Sequence, residues 1–486
     1  MVVVIDKNGE AWIPDTQYHQ YQRKGFTFAE AQALIETDGR FEGAKIYFIE
    51  DELKKYIPNF DMNYRGFLDT KEEYQYKMWH DLYMNKNIKV DKIPQKVEIN
   101  ADYEKKLFLV LDSFLKKLQK PPFIYNTNLI NTVKKNCDAV KAIFTSLKEG
   151  HQSEAEVLLK EMLQYFTEGS FFYGDLDKSY AFKGVAPFPD LHMKKVGIDY
   201  ENMMKTSLTF FRVRTKKPDS TCDIASLEDI VHLPYRKKNK ASIMRYSNIG
   251  IPCLYLGVTS FICAKECQWK IGNTDDMYAS VFVPNDKGRK LKIFDLTYSQ
   301  HLINGMSFKQ TPNSEKWQSD MLKLYPLLFS ISFTVNEEDR KTKYEYLISQ
   351  CLMKVMHEVG IDGIAYLSAQ GENEFQYPQG VNLALPAYDI SDSKQFSEYC
   401  SAFEISKPVK FDNQDSVESK SYINTIYKRY LFDDDNDGDN NKFENFTSTV
   451  SQNGKSIYYG ETVFGKFDNY LCSLPRETLA TSGFES

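Results

Sequence analysis

Residues 245–266 read RYSNIGIPCLYLGVTSFICAKE. Arg245, Tyr255 and Glu266 are set around one of the more apolar runs in the chain. Over 253–258 the side chains alternate as in a strand. Leu254 and Leu256 face one side and Tyr255 the other, so the phenol can project into a cleft. Thr259 or Ser260 can cap a following helix, which the pattern extends over 260–269. On it Phe261, Ala264 and Cys267 are expected to face the sheet, with Glu266 on the adjoining stripe. A carboxylate beside a core must be paired, hydrogen-bonded or functional, because a bare buried charge is costly. From the residues alone, a structural ion pair and a functional carboxylate both remain open.

Around this stretch the texture is β-like. Residues 208–213, 279–283, 291–296, 330–335, 361–367 and 381–385 read as further strands. Helices are expected at 260–269 and 344–359. Strands dominate, so the expected class is α+β, with the sheet domain over 206–390. Upstream, apolar residues recur at helical spacing in three sets: Leu107 to Leu118, Ile130 to Leu147 and Leu158 to Phe166. Ser153 and Glu156 suggest a capping box on the third. These imply a small helical bundle over 101–168, read as a regulatory or oligomerising module. No Arg lies between Arg65 and Arg212, which excludes Arg–His nuclease chemistry there. Residues 1–100 are mixed and unassigned, beyond a strand at 2–5 and a helix near 29–36. Residues 169–205 read as a linker rich in Gly, Pro and aromatics. Residues 391–486 read as a polar extension.

Composition narrows the function. The 486 residues carry a net charge of −6, with 42% hydrophobic, 26% charged and 14% aromatic content. A negative balance argues against nucleic acid as the main partner. The opening MVVVIDKNGE has no signal-peptide pattern. The longest uncharged apolar stretch, 325–335, is about half a membrane span. A cytoplasmic protein with no membrane partner is expected. The eight cysteines form no CxxC pair and the seven histidines are dispersed, so no metal site is expected. Asp433, Asp435, Asp437, Gly438 and Glu444 meet the spacing of a calcium loop. Asn440 stands where such loops carry an aliphatic residue, and the segment is read as a solvated acidic loop.

The opening stretch resembles the core signature of the RES domain, named for its Arg, Glu and Ser. Arg245, Gly250, Pro252, Leu254, Tyr255, Leu256 and Glu266 match in type and spacing. Met244 stands where many members carry Gly. Further on, IDGIAYLSAQ followed by QGVNLALP fits the segment bearing the family serine and points to Ser368. An upstream TFFRVR resembles the family's opening strand and nominates Arg212, with Arg214 as the alternative. The resemblance covers about 206–390. It implies a fold similar to ADP-ribosyltransferases and a toxin that depletes NAD by cleaving its nicotinamide–ribose bond. NAD would be the substrate, with no further cofactor. It implies Arg245, helped by Arg212, on the pyrophosphate and Tyr255 on the nicotinamide. Glu266 would meet the ribose cation, with Ser368 orienting. A cognate antitoxin or regulatory partner, or a homo-oligomer, is compatible with it. The rival readings are an ADP-ribosyltransferase modifying protein, and a non-catalytic nucleotide-binding or interaction protein.

Overall fold

The computed structural model describes residues 2–5, 11–12, 28–37, 39–48, 90–119, 123, 126–167, 172–182, 208–221, 223–241, 243–298, 312–337, 342–369, 380–391, 393–411, 449–452, 455–458 and 462–480. The chain divides into two units. One covers Met1–Lys92, Glu104–Val140 and Gln300–Leu327, the other Ile93–Tyr103, Lys141–Ser299 and Leu328–Ser486. The acidic run 433–444 and Cys222 lie outside the described residues.

In the first unit, β1 (Val2–Ile5), β2 (Ala11–Trp12) and β3 (Lys45–Phe48) form an antiparallel sheet in the order β2–β1–β3, with α1 over Phe28–Thr37. The three expected helices exist as α2 (Asn100–Leu118), α3 (Thr127–Glu149) and α4 (Gln152–Thr167). They do not make a bundle of their own. Most of α2 and the first half of α3 belong to the first unit, with a helix absent from the sequence reading, α7 (Pro312–Ser330). There Phe114 packs on Tyr325 at 4.5 Å, and Asn136 donates to the Lys323 carbonyl. Helix α4 lies in the second unit, where Glu156 pairs with Lys354 and Lys160 with Glu358. It starts one residue before Ser153, so the expected capping box does not form.

The second unit is a ten-stranded sheet. Its strands are β5 (Tyr173–Asp175), β6 (Phe210–Lys216), β7 (Cys253–Gly257), β8 (Asp276–Pro284), β9 (Lys292–Leu296), β11 (Gly363–Leu367), β12 (Val381–Pro386), β13 (Phe403–Ser406), β14 (Val409–Lys410) and β17 (Arg476–Thr478). The order is β17–β13–β8–β6–β7–β12–β11–β9–β5, with β14 beside β8. Every neighbour is antiparallel except β9 and β11. A separate parallel pair joins β4 (Gln95–Val97) to β10 (Phe333–Val335), and β15 (Thr449–Gln452) pairs with β16 (Lys455–Tyr458).

Two expected boundaries give way. The region read as a linker supplies edge strand β5, paired with β9. The region read as a polar extension supplies β13, β14 and β17 at the opposite edge, and α9 (Val463–Cys472). Phe403 and Ile405 are buried while Glu404 between them is exposed, a two-residue period hidden within a polar segment. The strand expected at 330–335 shortens to β10, because α7 runs on to Ser330 through Pro326.

Leu254, Leu256, Phe211, Val281 and Leu383 are fully or almost fully buried in one core. Each such side chain contributes about 1.5–3 kcal/mol. The register does the positioning. Asn382 lies opposite both Gly257 of β7 and Tyr366 of β11, so the three form a row across the sheet.

Candidate functional site

Gly257 ends β7, and α6 (Ser260–Glu266) follows at once. Thr259 caps it, its hydroxyl accepting from the Ile262 amide at 3.1 Å. The chain then turns through Gln268 in the left-handed region (φ 56°), so the helix ends at Glu266 instead of reaching 269. The face toward the sheet includes the expected residues and is wider: Ala264 is buried, Phe261 packs on the core and the Cys267 thiol meets the Val213 carbonyl at 3.8 Å, while Ile262 and Cys263 are buried as well. The Cys263 thiol meets the Phe211 carbonyl at 3.1 Å, which brings the Ile262–Cys263–Glu266 stripe onto the sheet. That stripe carries Glu266 to the row made by Asn382 and Tyr366.

Glu266 Oε1 accepts from the Ser368 hydroxyl at 2.6 Å and from the Asn382 amide at 2.8 Å. Burial pushes its carboxyl above the usual glutamate range. The Ser368 bond, the Arg245 charge and the Asn382 bond pull the other way without cancelling it. The folded pKa therefore exceeds the unfolded value of about 4.3. The sign of the linkage follows: the protonated carboxyl adds stability that is full below about pH 4.3 and lost as pH rises through the folded pKa. Glu266→Gln should remove that loss. Its unfolding free energy relative to wild type is expected to rise from pH 4 to pH 8, as read by urea unfolding at each pH.

Arg245 enters from the loop before β7. Its Nη1 donates to the Ile331 carbonyl at 2.7 Å and its Nη2 to the Phe333 carbonyl, with the Tyr346 ring 4.9 Å away. Two of its five N–H groups are thus fixed on main chain, and its charge still reaches Glu266. Tyr255 alternates with Leu254 and Leu256 as expected. Its hydroxyl is hydrogen-bonded to the Ser247 hydroxyl at 2.7 Å and accepts from the Tyr246 amide at 3.2 Å. Arg212 Nη1 donates to the Tyr255 carbonyl at 2.6 Å.

Arg212, Arg245, Tyr255 and Glu266 line one cleft, with Tyr346, Tyr366 and Asn382. Ser368 reaches it through Glu266 and lines a small neighbouring pocket, which shares Arg245 and Tyr366 with the cleft. The five nominated residues therefore converge. Asn382, Tyr346 and Tyr366 were not nominated. Asn382 had a signal in the QGVN segment, read only as a marker for the serine. Tyr346 had none. His232 lies between α5 (Leu227–Ile230) and the 3-10 turn over Tyr235–Lys240 and is buried. It accepts from the Ser397 amide at 3.0 Å and is held near pKa 4 chiefly by burial. Among the described residues, no group of three His, Cys, Asp or Glu could hold a metal ion. No described helix is long and apolar enough to cross a membrane.

The C-terminal part of the chain braces this site. Buried Asp468 of α9 accepts from the Ser260 amide through both oxygens, at 3.2 and 3.3 Å. A carboxylate in the first turn of a helix is favourable toward its dipole. Asp468→Ala is expected to destabilise by about 1–3 kcal/mol, the cost of stranding a buried amide. Urea unfolding measures this, and an unchanged midpoint would contradict it.

Comparison with known proteins finds no matching family model. A 231-residue stretch is 30% identical to "Putative toxin YopC" of Bacillus subtilis (strain 168), covering 45% of this chain. Part of this chain is related to a protein described as a toxin. The chain spans about half the length of that relative, 50% of it. A solved structure, "Crystal structure of the M.tuberculosis MbcT-MbcA toxin-antitoxin complex", matches 42% of this chain and 85% of its own at 11% identity. Its TM-score is 0.21, at which the likeness decides nothing.

Proposed function

We propose that this chain consumes NAD by breaking its nicotinamide–ribose bond, and that it does so as a toxin of the RES type. One observation carries the reading: the Glu266 carboxylate, held on one oxygen by Ser368 and Asn382, lies in a cleft that also presents two guanidiniums and three tyrosines. This set suits the reaction. The bond from ribose C1′ to the pyridinium nitrogen breaks, and its electron pair leaves with neutral nicotinamide. Positive charge then develops on C1′ and the ring oxygen. A carboxylate at that point stabilises the charge, as in glycoside hydrolysis. Water or phosphate adds to C1′ and releases a proton. Nicotinamide departs without protonation, so one carboxylate suffices.

Ser368 and Asn382 keep one Glu266 oxygen occupied and leave the other, by this assignment, for the ribose. The Tyr255 ring offers a face to the cationic pyridinium. The similarity to YopC supports the toxin class, and an antitoxin that closes the cleft belongs to the same proposal. The test is to incubate purified protein with NAD, with and without phosphate, and to quantify nicotinamide and the ribosyl product. Release that requires the cleft residues is expected. Labelled adenylate appearing on protein would favour ADP-ribosyl transfer instead. Binding of NAD without release would leave an interaction module.

A further inference from the structure

Helix α8 (Tyr344–Met356) turns one stripe toward the loop that carries Arg245. Tyr346 and Gln350 stand four residues apart, so they are neighbours on one face. The Tyr346 ring lies 4.9 Å from the Arg245 guanidinium and lines the cleft. One turn on, Gln350 Nε2 donates to the Met244 carbonyl at 3.1 Å, and the main-chain carbonyl of Gln350 accepts from the Asn248 side-chain amide at 3.1 Å. The two bonds grip the loop on either side of Arg245. Asn248 also hydrogen-bonds the Tyr388 hydroxyl, which donates to the Met353 carbonyl, so a second tie reaches the next turn of α8. The Met244 carbonyl accepts from the Ser247 amide as well, at 3.3 Å, which closes the loop into a turn around Arg245. This arrangement packs no core: Met244 is exposed, and Asn248 and Gln350 are half-buried. What it fixes is where the Arg245 side chain starts.

We propose that Gln350 is a positioning residue: through the Met244 carbonyl it holds Arg245 within reach of Glu266. For turnover the inference rests on the proposed reaction; for the field at Glu266 it stands on the clamp alone. The titratable groups that face Glu266 are Arg245, Tyr246 beside it, Tyr366 of β11, and Cys263 and Cys267 of its own helix. Burial pushes both phenols and both thiols up, so they stay neutral and Arg245 supplies the charge. Arg212, on the same cleft, is turned to the Tyr255 carbonyl, and Asp468 of α9 sits at the opposite end of α6. The pull of Arg245 on the carboxyl weakens with distance.

The experiment compares the full wild-type chain with three variants. Gln350→Met keeps length and helix preference but cannot donate. Tyr388→Phe cuts the second tie. The control, Lys354→Met, breaks only the pair with Glu156 on the same helix. Each is also made with Glu266→Gln. Urea unfolding from pH 4 to pH 8 then reads the Glu266 titration as the difference within each pair, with no substrate present. Arg245 lowers the Glu266 pKa, so loosening Arg245 should raise it. The stability lost between pH 4 and pH 8 should therefore be larger in Gln350→Met and Tyr388→Phe than in wild type and Lys354→Met. With NAD, the acid limb of kcat should move to higher pH in the same two variants. At pH 7 kcat of Gln350→Met should fall by about 10–10²-fold, the scale of a small misplacement near reacting atoms. An unchanged Glu266 titration in Gln350→Met, or an equal shift in Lys354→Met, would overturn the positioning role and leave α8 a structural support. Should Gln350→Met fail to fold, Tyr388→Phe decides by the same reading. A shifted titration without nicotinamide release by wild type would keep the clamp and reject the proposed reaction.

Discussion

Glu266→Gln is expected to lower nicotinamide release by roughly 10²–10³-fold, the range for losing one electrostatic stabiliser of a transition state. Glutamine keeps an oxygen for the Ser368 hydroxyl and the Asn382 amide, so the fold at the end of α6 should persist. What it removes is the negative charge that, in the proposed reaction, meets the developing ribose cation. The loss should therefore appear in kcat far more than in KM. Single-turnover measurement with saturating NAD reads this directly. A variant with near-normal kcat would remove Glu266 from the reaction. The pH profile offers a second check. In the proposed reaction ionised Glu266 is the active form, so wild-type kcat should fall as pH drops through its raised folded pKa, above the usual glutamate range.

Gly257→Ala is the second large effect. A methyl group there would stand 2.6 Å from the Cys263 sulfur, 2.7 Å from Ile262 Cγ2 and 3.0 Å from Asn382 Oδ1. All three are fixed: Cys263 and Ile262 by the buried face of α6, Asn382 by its place opposite Gly257. Relief requires α6 to lift from the sheet or Asn382 to move. Overpacking of this kind costs about 1–3 kcal/mol. The same displacement would spoil the bond from Asn382 to Glu266, so kcat should fall as well. Thermal unfolding and turnover, measured together, should both decline. A stable variant with full activity would show that the helix tolerates the shift and that its placement is not critical.

The sequence made the centre of the molecule readable and left its edges obscure. Alternation in CLYLGV and the capping threonine of the next helix are local signals, and both appear where expected. Ser368 was found only because a distant segment resembled a family pattern. Its bond to Glu266 depends on sheet order, which no local pattern encodes. The edge strands were missed for a different reason. Tyr173–Asp175 and Phe403–Ser406 are too short for their period to stand out among polar and aromatic neighbours. Helix α7 was hidden by Pro326 and by the apolar residues around it, which read equally well as a strand. The α6 face proved wider than expected, because the Cys263–Phe211 contact, which is tertiary, brings Ile262 and Cys263 onto the sheet beside Ala264.

The order of strands also sets a timetable. Glu266 leaves the ribosome well before Asp468, which braces its helix, and Arg476–Thr478, an edge strand, which come some 200 residues later. At 5–20 residues per second that gap is roughly 10–40 s. Until then the sheet lacks one edge and the helix that carries Glu266 lacks its brace, and such long-range pairing forms slowly even afterwards. The cleft that holds Glu266 is therefore completed only by residues some 200 positions further along the chain.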